Sequence, residues 1–214
     1  MFIQKKIFEH ENFFVNLSIL LICLIPISLL SGSAIININI VLLNLLFLIH
    51  LINSKNLKVF KDKLFYWFFA FWTILIISAL SSNNFDLGIS RSFGFIRFIL
   101  LVFLLRYFLN YKENKFFNFI FLFWSLIFII VTCDLIFEYF VGFNVLGNSS
   151  NYPGRLSSFL GEHLKIGAFY FGFILIVLSH QIRNIKKFYF LFLIFFIISF
   201  LIGERSNYIK IFIS

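Results

Sequence analysis

The chain has 214 residues, of which 61% are hydrophobic and 13% are charged, and its mean hydropathy is +1.00. A soluble domain could not cover that much apolar surface, so the composition excludes an ordinary water-soluble fold and predicts a protein embedded in lipid. The formal net charge of +9 does not indicate a nucleic-acid partner, because the basic residues stand singly between apolar segments and form no basic stripe.

Apolar segments close to the length of about 20 residues that crosses a bilayer follow one another along the whole chain. They cover residues 13–31, 34–53, 64–82, 93–110, 116–138, 166–182 and 187–203, and a further segment runs from 207 to 214. Because lipid forbids open strand edges, these segments predict an all-α, polytopic transmembrane helix bundle. We expect one membrane domain over residues 1–214, with about seven complete spans and a truncated eighth.

The first two segments contain residues that modify a helix. Pro26 is expected to kink the first span, which we interpret as an uncleaved anchor. Asn37, Asn39, Asn44 and His50 interrupt the second span, and we interpret them as interhelical packing contacts.

The lysines and arginines predict the orientation of the spans. Twelve lie before the first span or in alternate connections: Lys5, Lys6, Lys55, Lys58, Lys61, Lys63, Arg106, Lys112, Lys115, Arg183, Lys186 and Lys187. Five lie on the other side, namely Arg91, Arg97, Arg155, Lys165 and Arg205. The positive-inside rule therefore predicts a multi-pass protein with a cytoplasmic N-terminus.

Arginines on the side where cations are scarce are candidates for binding an anion. Arg155 closes a loop rich in Gly, Asn and Ser, and Arg205 lies in a tight turn between two apolar segments. The guanidinium group presents donors in a fixed fork that suits phosphate or carboxylate. Arg97, which we place near the outer end of the fourth span, either faces a cavity or extends to the headgroups.

Four further residues on the same side could support such a site. Asp134 and Glu138 are four residues apart, which places both carboxylates on one helix face. They would act as general acid and base or, as we favour, form an ion pair with an outer arginine. Glu162 and His163 precede the next span; Glu162 is expected to cap its helix dipole, and His163 is either an acid–base group or an interface residue.

Motifs for phosphate loops, dinucleotides and metal ligands are missing from the sequence, so neither a cofactor nor a metal is expected. Cys23 and Cys133 are expected to be free. The outer arginines alone predict only that the chain binds an anionic molecule at the membrane surface.

Two stretches resemble the O-antigen ligase and polymerase superfamily. Residues 155–162, RLSSFLGE, lead into a segment with Gly167 and Gly172 and are similar to the opening of that family's domain. Residues 201–210, LIGERSNYIK, are similar to its next signature, a span that closes in a short turn containing arginine. The resemblance covers about residues 154–210 by motif, with Arg155 and Arg205 at the family's arginine positions.

The resemblance implies a glycosyltransferase of the bacterial inner membrane and of lipopolysaccharide biosynthesis. Such a ligase moves a glycan from undecaprenyl pyrophosphate to the lipid A core at the periplasmic face, whereas a polymerase moves it to another repeat unit. Arg155 and Arg205 would bind the pyrophosphate, and no cofactor would be needed.

The family's base is a histidine in a later periplasmic loop, and this chain ends at Ser214 before such a loop. His163 does not match that position, so the catalytic residue is unknown. We expect the chain to be part of a longer protein and to be inactive alone. The alternatives to a transferase are a transporter of an anionic solute or a non-catalytic membrane subunit in contact with lipid.

Overall fold

The computed structural model describes residues 14–54, 60–82, 85–111, 115–152, 154–160, 166–181 and 185–203. Within these ranges the regular structure is helical and contains no strand, which confirms the all-α part of the predicted fold class. The helices are α1 Phe14–Cys23, α2 Ile25–Ser31, α3 Ser33–Ser54, α4 Lys63–Leu80, α5 Phe85–Tyr111, α6 Lys115–Val141, α7 Ile166–Gln181 and α8 Ile185–Leu201.

Helix length and composition identify which described elements could cross a bilayer. Four do so: Ser33–Ser54, Lys63–Leu80, Phe85–Phe108 and Asn118–Val141. A fifth is added if α1 and α2 form one interrupted span. Because α7 and α8 have 16 and 17 residues, the predicted count of seven complete spans stays a prediction. The segment 207–214 lies outside the described residues.

The break between α1 and α2 follows from the sequence. Leu24 still donates its backbone N–H to Leu20 O at 3.0 Å, but Pro26 has no N–H with which to continue the ladder. The helix is interrupted at Leu24, so the predicted effect of Pro26 on this segment is confirmed.

The chain forms two compact units, and the first contains residues Met1–Leu24 and Ile36–Phe117. In this unit the polar residues of α3 bind neighbouring helices. Asn44 Nδ2 donates to the backbone oxygen of Arg97 at 2.8 Å, and His50 Nε2 lies 3.0 Å from the Tyr107 hydroxyl. These contacts confirm the interpretation of Asn44 and His50 as packing residues.

Helices α4 and α5 form a hairpin that is stabilised by a hydrogen bond from the Trp72 indole and by an ion pair between Asp62 and Arg106. Trp72 Nε1 donates to Ser92 O at 2.8 Å. Asp62 Oδ1 accepts the N–H of Leu64 at 3.1 Å as the N-cap of α4, and Asp62 Oδ2 lies 2.9 Å from Arg106 Nη1. Asp62 thus caps the N-terminus of α4 and links α4 to α5 through the ion pair.

We expect Asp62→Ala to lower the free energy of unfolding by about 1–2 kcal/mol, because both the cap and the half-exposed ion pair are lost. Asp62→Asn keeps a capping oxygen, so its cost should stay below about 1 kcal/mol. Unfolding in mixed micelles with increasing SDS measures both variants, and equal losses would contradict the assignment of the cap.

The second unit contains residues Ile25–Ile35 and Asn118–Ser214. Its core joins α6, α7 and α8 through aromatic rings. The ring of Phe128 lies 4.8 Å from that of Tyr170 and 5.0 Å from that of Phe195, measured between centroids. This core supports the loop that follows α6, and α2 lies against that loop's 3-10 turn, Ser158–Leu160.

Candidate functional site

Asp134 and Glu138 lie on the last turns of α6, and both are buried, with exposed fractions of 2% and 3%. Their shared helix face was predicted from the spacing. The helix continues to Val141, and Gly142 then adopts a left-handed φ of +89°, which turns the chain out of α6. The loop of residues 142–160 returns over the two carboxylates; we call it the 142–160 loop.

Glu138 binds the far end of this loop. Its Oε1 accepts the backbone N–H of Ser157 at 3.0 Å and the Ser157 hydroxyl at 3.0 Å. Its Oε2 accepts the N–H of Ser158 at 2.6 Å and lies 3.1 Å from Ser157 N. A buried carboxylate is stable only with several donors, and the loop supplies them.

Asp134 binds both the beginning and the end of the loop. Its Oδ1 accepts the N–H of Val145 at 2.8 Å, and its Oδ2 accepts the hydroxyl of Ser158. Ser158 is fully buried and has a φ of +47°, a left-handed conformation that is unfavourable for a residue with a side chain. Its backbone N–H, hydroxyl and carbonyl groups all have partners, which hold it there.

Asn144 is buried inside the 142–160 loop and forms hydrogen bonds with residues near both of its ends. Its Oδ1 accepts the N–H groups of Leu146 at 3.0 Å and Asn148 at 2.8 Å, and its Nδ2 donates to Ser158 O. Its backbone N–H donates to Asn148 O, and its carbonyl oxygen accepts the N–H of Gly147, each at 2.8 Å. An asparagine whose side chain accepts the N–H two residues later is typical of such a turn, and Gly147 then adopts a left-handed φ of +80°.

We call Asp134, Glu138, Asn144, Ser157 and Ser158 the loop anchor. The two acids were predicted as site residues in an ion pair with an outer arginine, whereas their contacts in the described residues are hydrogen bonds to the loop. The other three residues were not predicted. The signal available for Asn144 was its position between two glycines in the loop, whereas nothing in the sequence marked the two serines as partners of the acids.

Arg155 is exposed on the 142–160 loop, two residues before buried Ser157. Its guanidinium carbon lies 5.8 Å from the centroid of the Tyr152 ring, and its backbone N–H donates to Tyr152 O at 3.2 Å. The ion pair between Asp62 and Arg106 is the one found in the described part of the chain, so the Arg155 guanidinium has no carboxylate partner there.

The backbone around Arg155 lies against the end of α8. Leu156 donates its N–H to Ile202 O at 3.4 Å. A Cβ atom at Gly203 would lie 2.6 Å from Gly154 O and 3.3 Å from Arg155 Cγ. The two segments that resemble the ligase family therefore meet at Gly203, two residues before Arg205 in the sequence. Arg205 itself lies outside the described residues.

Glu162 and His163 also lie outside the described residues, so their predicted roles stay predictions. The position of Arg97 differs from the expected one. Because α5 begins at Phe85, Arg97 lies about three turns into the helix instead of one. Its Nε is buried without a hydrogen bond, and its guanidinium carbon lies 4.9 Å from the Phe98 ring centroid. The ring gives the half-buried guanidinium a favourable cation–π contact.

Within the described ranges no three His, Cys, Asp or Glu side chains come together as a metal-binding group. Cys23 and Cys133 are free, as predicted. Helices of this length and apolar composition define an all-helical protein of the membrane-embedded class. No family model, curated protein or solved structure matches the chain.

Proposed function

We propose that this chain carries the pyrophosphate-binding face of an O-antigen ligase-like glycosyltransferase. The enzyme would move a glycan from undecaprenyl pyrophosphate to the lipid A core at the periplasmic face of the bacterial inner membrane. The observation that supports the proposal most is the contact of residues 154–156 with Ile202 and Gly203. This contact joins the backbone beside Arg155 to the backbone that leads to Arg205.

Positive charge at this position suits the chemistry of the proposed transfer. When the bond between the sugar and the pyrophosphate breaks, negative charge grows on the departing phosphate oxygens. An arginine held next to an apolar medium stabilises that charge more strongly than one in bulk water. Arg155 is suited to this role because it is exposed, it sits on an anchored loop, and no carboxylate neutralises it in the described part of the molecule.

We expect Arg155→Ala and Arg205→Ala, each introduced into a full-length protein, to lower glycan transfer by about ten- to a hundredfold, the value of a charged hydrogen bond. The measurement is transfer from undecaprenyl pyrophosphate-linked glycan in membranes that contain equal amounts of each variant. Lipid A core and a second repeat unit, offered as separate acceptors, distinguish a ligase from a polymerase.

Arg91→Ala is the matched control for these variants. Arg91 is exposed and lies on the same predicted side of the membrane, but it is outside the two resembling stretches. It should leave transfer unchanged. Normal transfer by either the Arg155 or the Arg205 variant would refute the proposal, and so would labelling of cysteines at positions 155 and 205 from the cytosolic side.

A further inference from the structure

The two carboxylates of the loop anchor have no direct part in the proposed transfer, because their oxygen atoms are already occupied by loop donors. We infer that Asp134 and Glu138 are positioning residues that fix Arg155 in the place where it meets an anionic diphosphate. This inference rests on the proposed function for the role of Arg155, but the positioning itself can be measured without any transfer assay.

Four successive backbone N–H groups, those of residues 155–158, each have an acceptor. The N–H of Arg155 donates to Tyr152 O, that of Leu156 to Ile202 O, and those of the next two residues to Glu138. Glu138 therefore accepts two of these four N–H groups, and two of the three that lie on the C-terminal side of Arg155. A loop with all of these donors satisfied is ordered before a ligand arrives.

The location of the acids on α6 supports a specific role. The C-terminal end of a helix carries partial negative charge, so a carboxylate is unfavourable in its last turn, where Glu138 lies. Asp134 is one turn earlier on the same face, and like charges four residues apart repel each other. Both side chains are nevertheless buried, so the donors of the loop must offset the repulsion and, for Glu138, the helix dipole.

The charge arrangement leaves Arg155 available for an external anion. The donors that reach the two carboxylates are amides and hydroxyls of the loop, namely those of Val145, Ser157 and Ser158. The acids thus hold the loop without taking up the guanidinium, which stays exposed two residues before buried Ser157. A neutral amide in place of Glu138 keeps one acceptor oxygen, but its NH2 group would face a loop N–H that a carboxylate oxygen now accepts.

The first experiment measures the mobility of position 155 directly. A nitroxide label is attached to Arg155→Cys in a full-length protein that also carries Cys23→Ala and Cys133→Ser, and its motion is recorded by electron paramagnetic resonance in lipid nanodiscs. We expect the label to be restricted, and Glu138→Gln to shorten its correlation time at least about twofold. Tyr139→Phe, a change at the neighbouring exposed residue, should have no effect.

Ser157→Ala provides a milder test, because it removes only the hydroxyl bond to Glu138 and should mobilise the label to a smaller extent. If Glu138→Gln does not fold, this variant and Asp134→Asn decide the question. A label that remains equally restricted in every anchor variant that folds would overturn the inference, whatever the protein's activity.

The second experiment is a double-mutant cycle on glycan transfer. If Glu138 acts through Arg155, the Arg155→Ala/Glu138→Gln double variant should transfer no more slowly than Arg155→Ala alone. Additive losses at equal protein levels would indicate a general structural role and would contradict the inference. If the label is mobilised while Arg155→Ala transfers normally, the positioning role stands and the proposed function fails.

Discussion

Replacing Asn144 by alanine is expected to lower the free energy of unfolding of the chain by about 3–4 kcal/mol. The change removes three side-chain hydrogen bonds, to Ser158 O and to the N–H groups of Leu146 and Asn148. Water can replace the last two because those residues are exposed, but the carbonyl of fully buried Ser158 loses its partner. Unfolding in mixed micelles with increasing SDS, followed by tryptophan fluorescence, measures the loss.

Asn148→Ala is the matched control, since it alters the same residue type four positions away. Asn148 is exposed and binds Asn144 through its backbone N–H and carbonyl, which alanine retains. The control should change the free energy of unfolding by less than about 0.5 kcal/mol. Similar losses for the two variants would contradict the role of Asn144 as the central residue of the turn.

The helices were predictable because lipid imposes a simple rule on the sequence. Each of the seven apolar segments contains a described helix, since in hydrocarbon every backbone group must bond within its own segment. The same rule predicted that Asn44 and His50 bond to a neighbouring helix, because a polar side chain within a span is stable only with a hydrogen-bond partner.

The position of Arg97 near the middle of α5 could not be predicted from the apolar pattern. Residues 83–92, NNFDLGISRS, are polar enough to read as a connection, so the fourth span was expected to begin at residue 93. In the structure Phe85 already begins α5, and Ser92 uses its hydroxyl to bond Leu75 O of α4 at 3.2 Å. A tertiary contact thus extends the helix beyond the apolar pattern, and Arg97 is displaced towards its middle.

The hydrogen-bond partners within the loop anchor could not be predicted from the sequence, for a different reason. The four-residue spacing of Asp134 and Glu138 predicted that they share a face, but it did not reveal which donors would reach them. Their partners Ser157 and Ser158 follow 19 or more residues later along an irregular loop, where no periodicity relates the two sets. Backbone N–H groups carry no sequence signature, so an ion pair appeared to be the natural solution for two buried acids.

Gly203→Ala should destabilise the protein by about 3 kcal/mol through two separate effects. Gly203 has a φ of +77°, which costs any residue with a Cβ about 1–2 kcal/mol. The added Cβ would also lie 2.6 Å from Gly154 O, a backbone atom that cannot move alone. The loop must therefore shift away from α8, which adds a cost of the size seen for overpacked sites.

Gly142→Ala separates the two effects. Gly142 has a similar φ of +89°, but no atom lies within 4 Å of its would-be Cβ. Its loss should be limited to the backbone term of about 1–2 kcal/mol. Gly203→Ala is expected to lower the free energy of unfolding by more than Gly142→Ala and to increase the mobility of a label at position 155. The reason is that the backbone of residues 154 and 155 packs directly against Gly203, just after α8. Equal losses for the two glycines would show that the contact does not support the loop, and the joining of the two arginine segments at Gly203 would have to be abandoned.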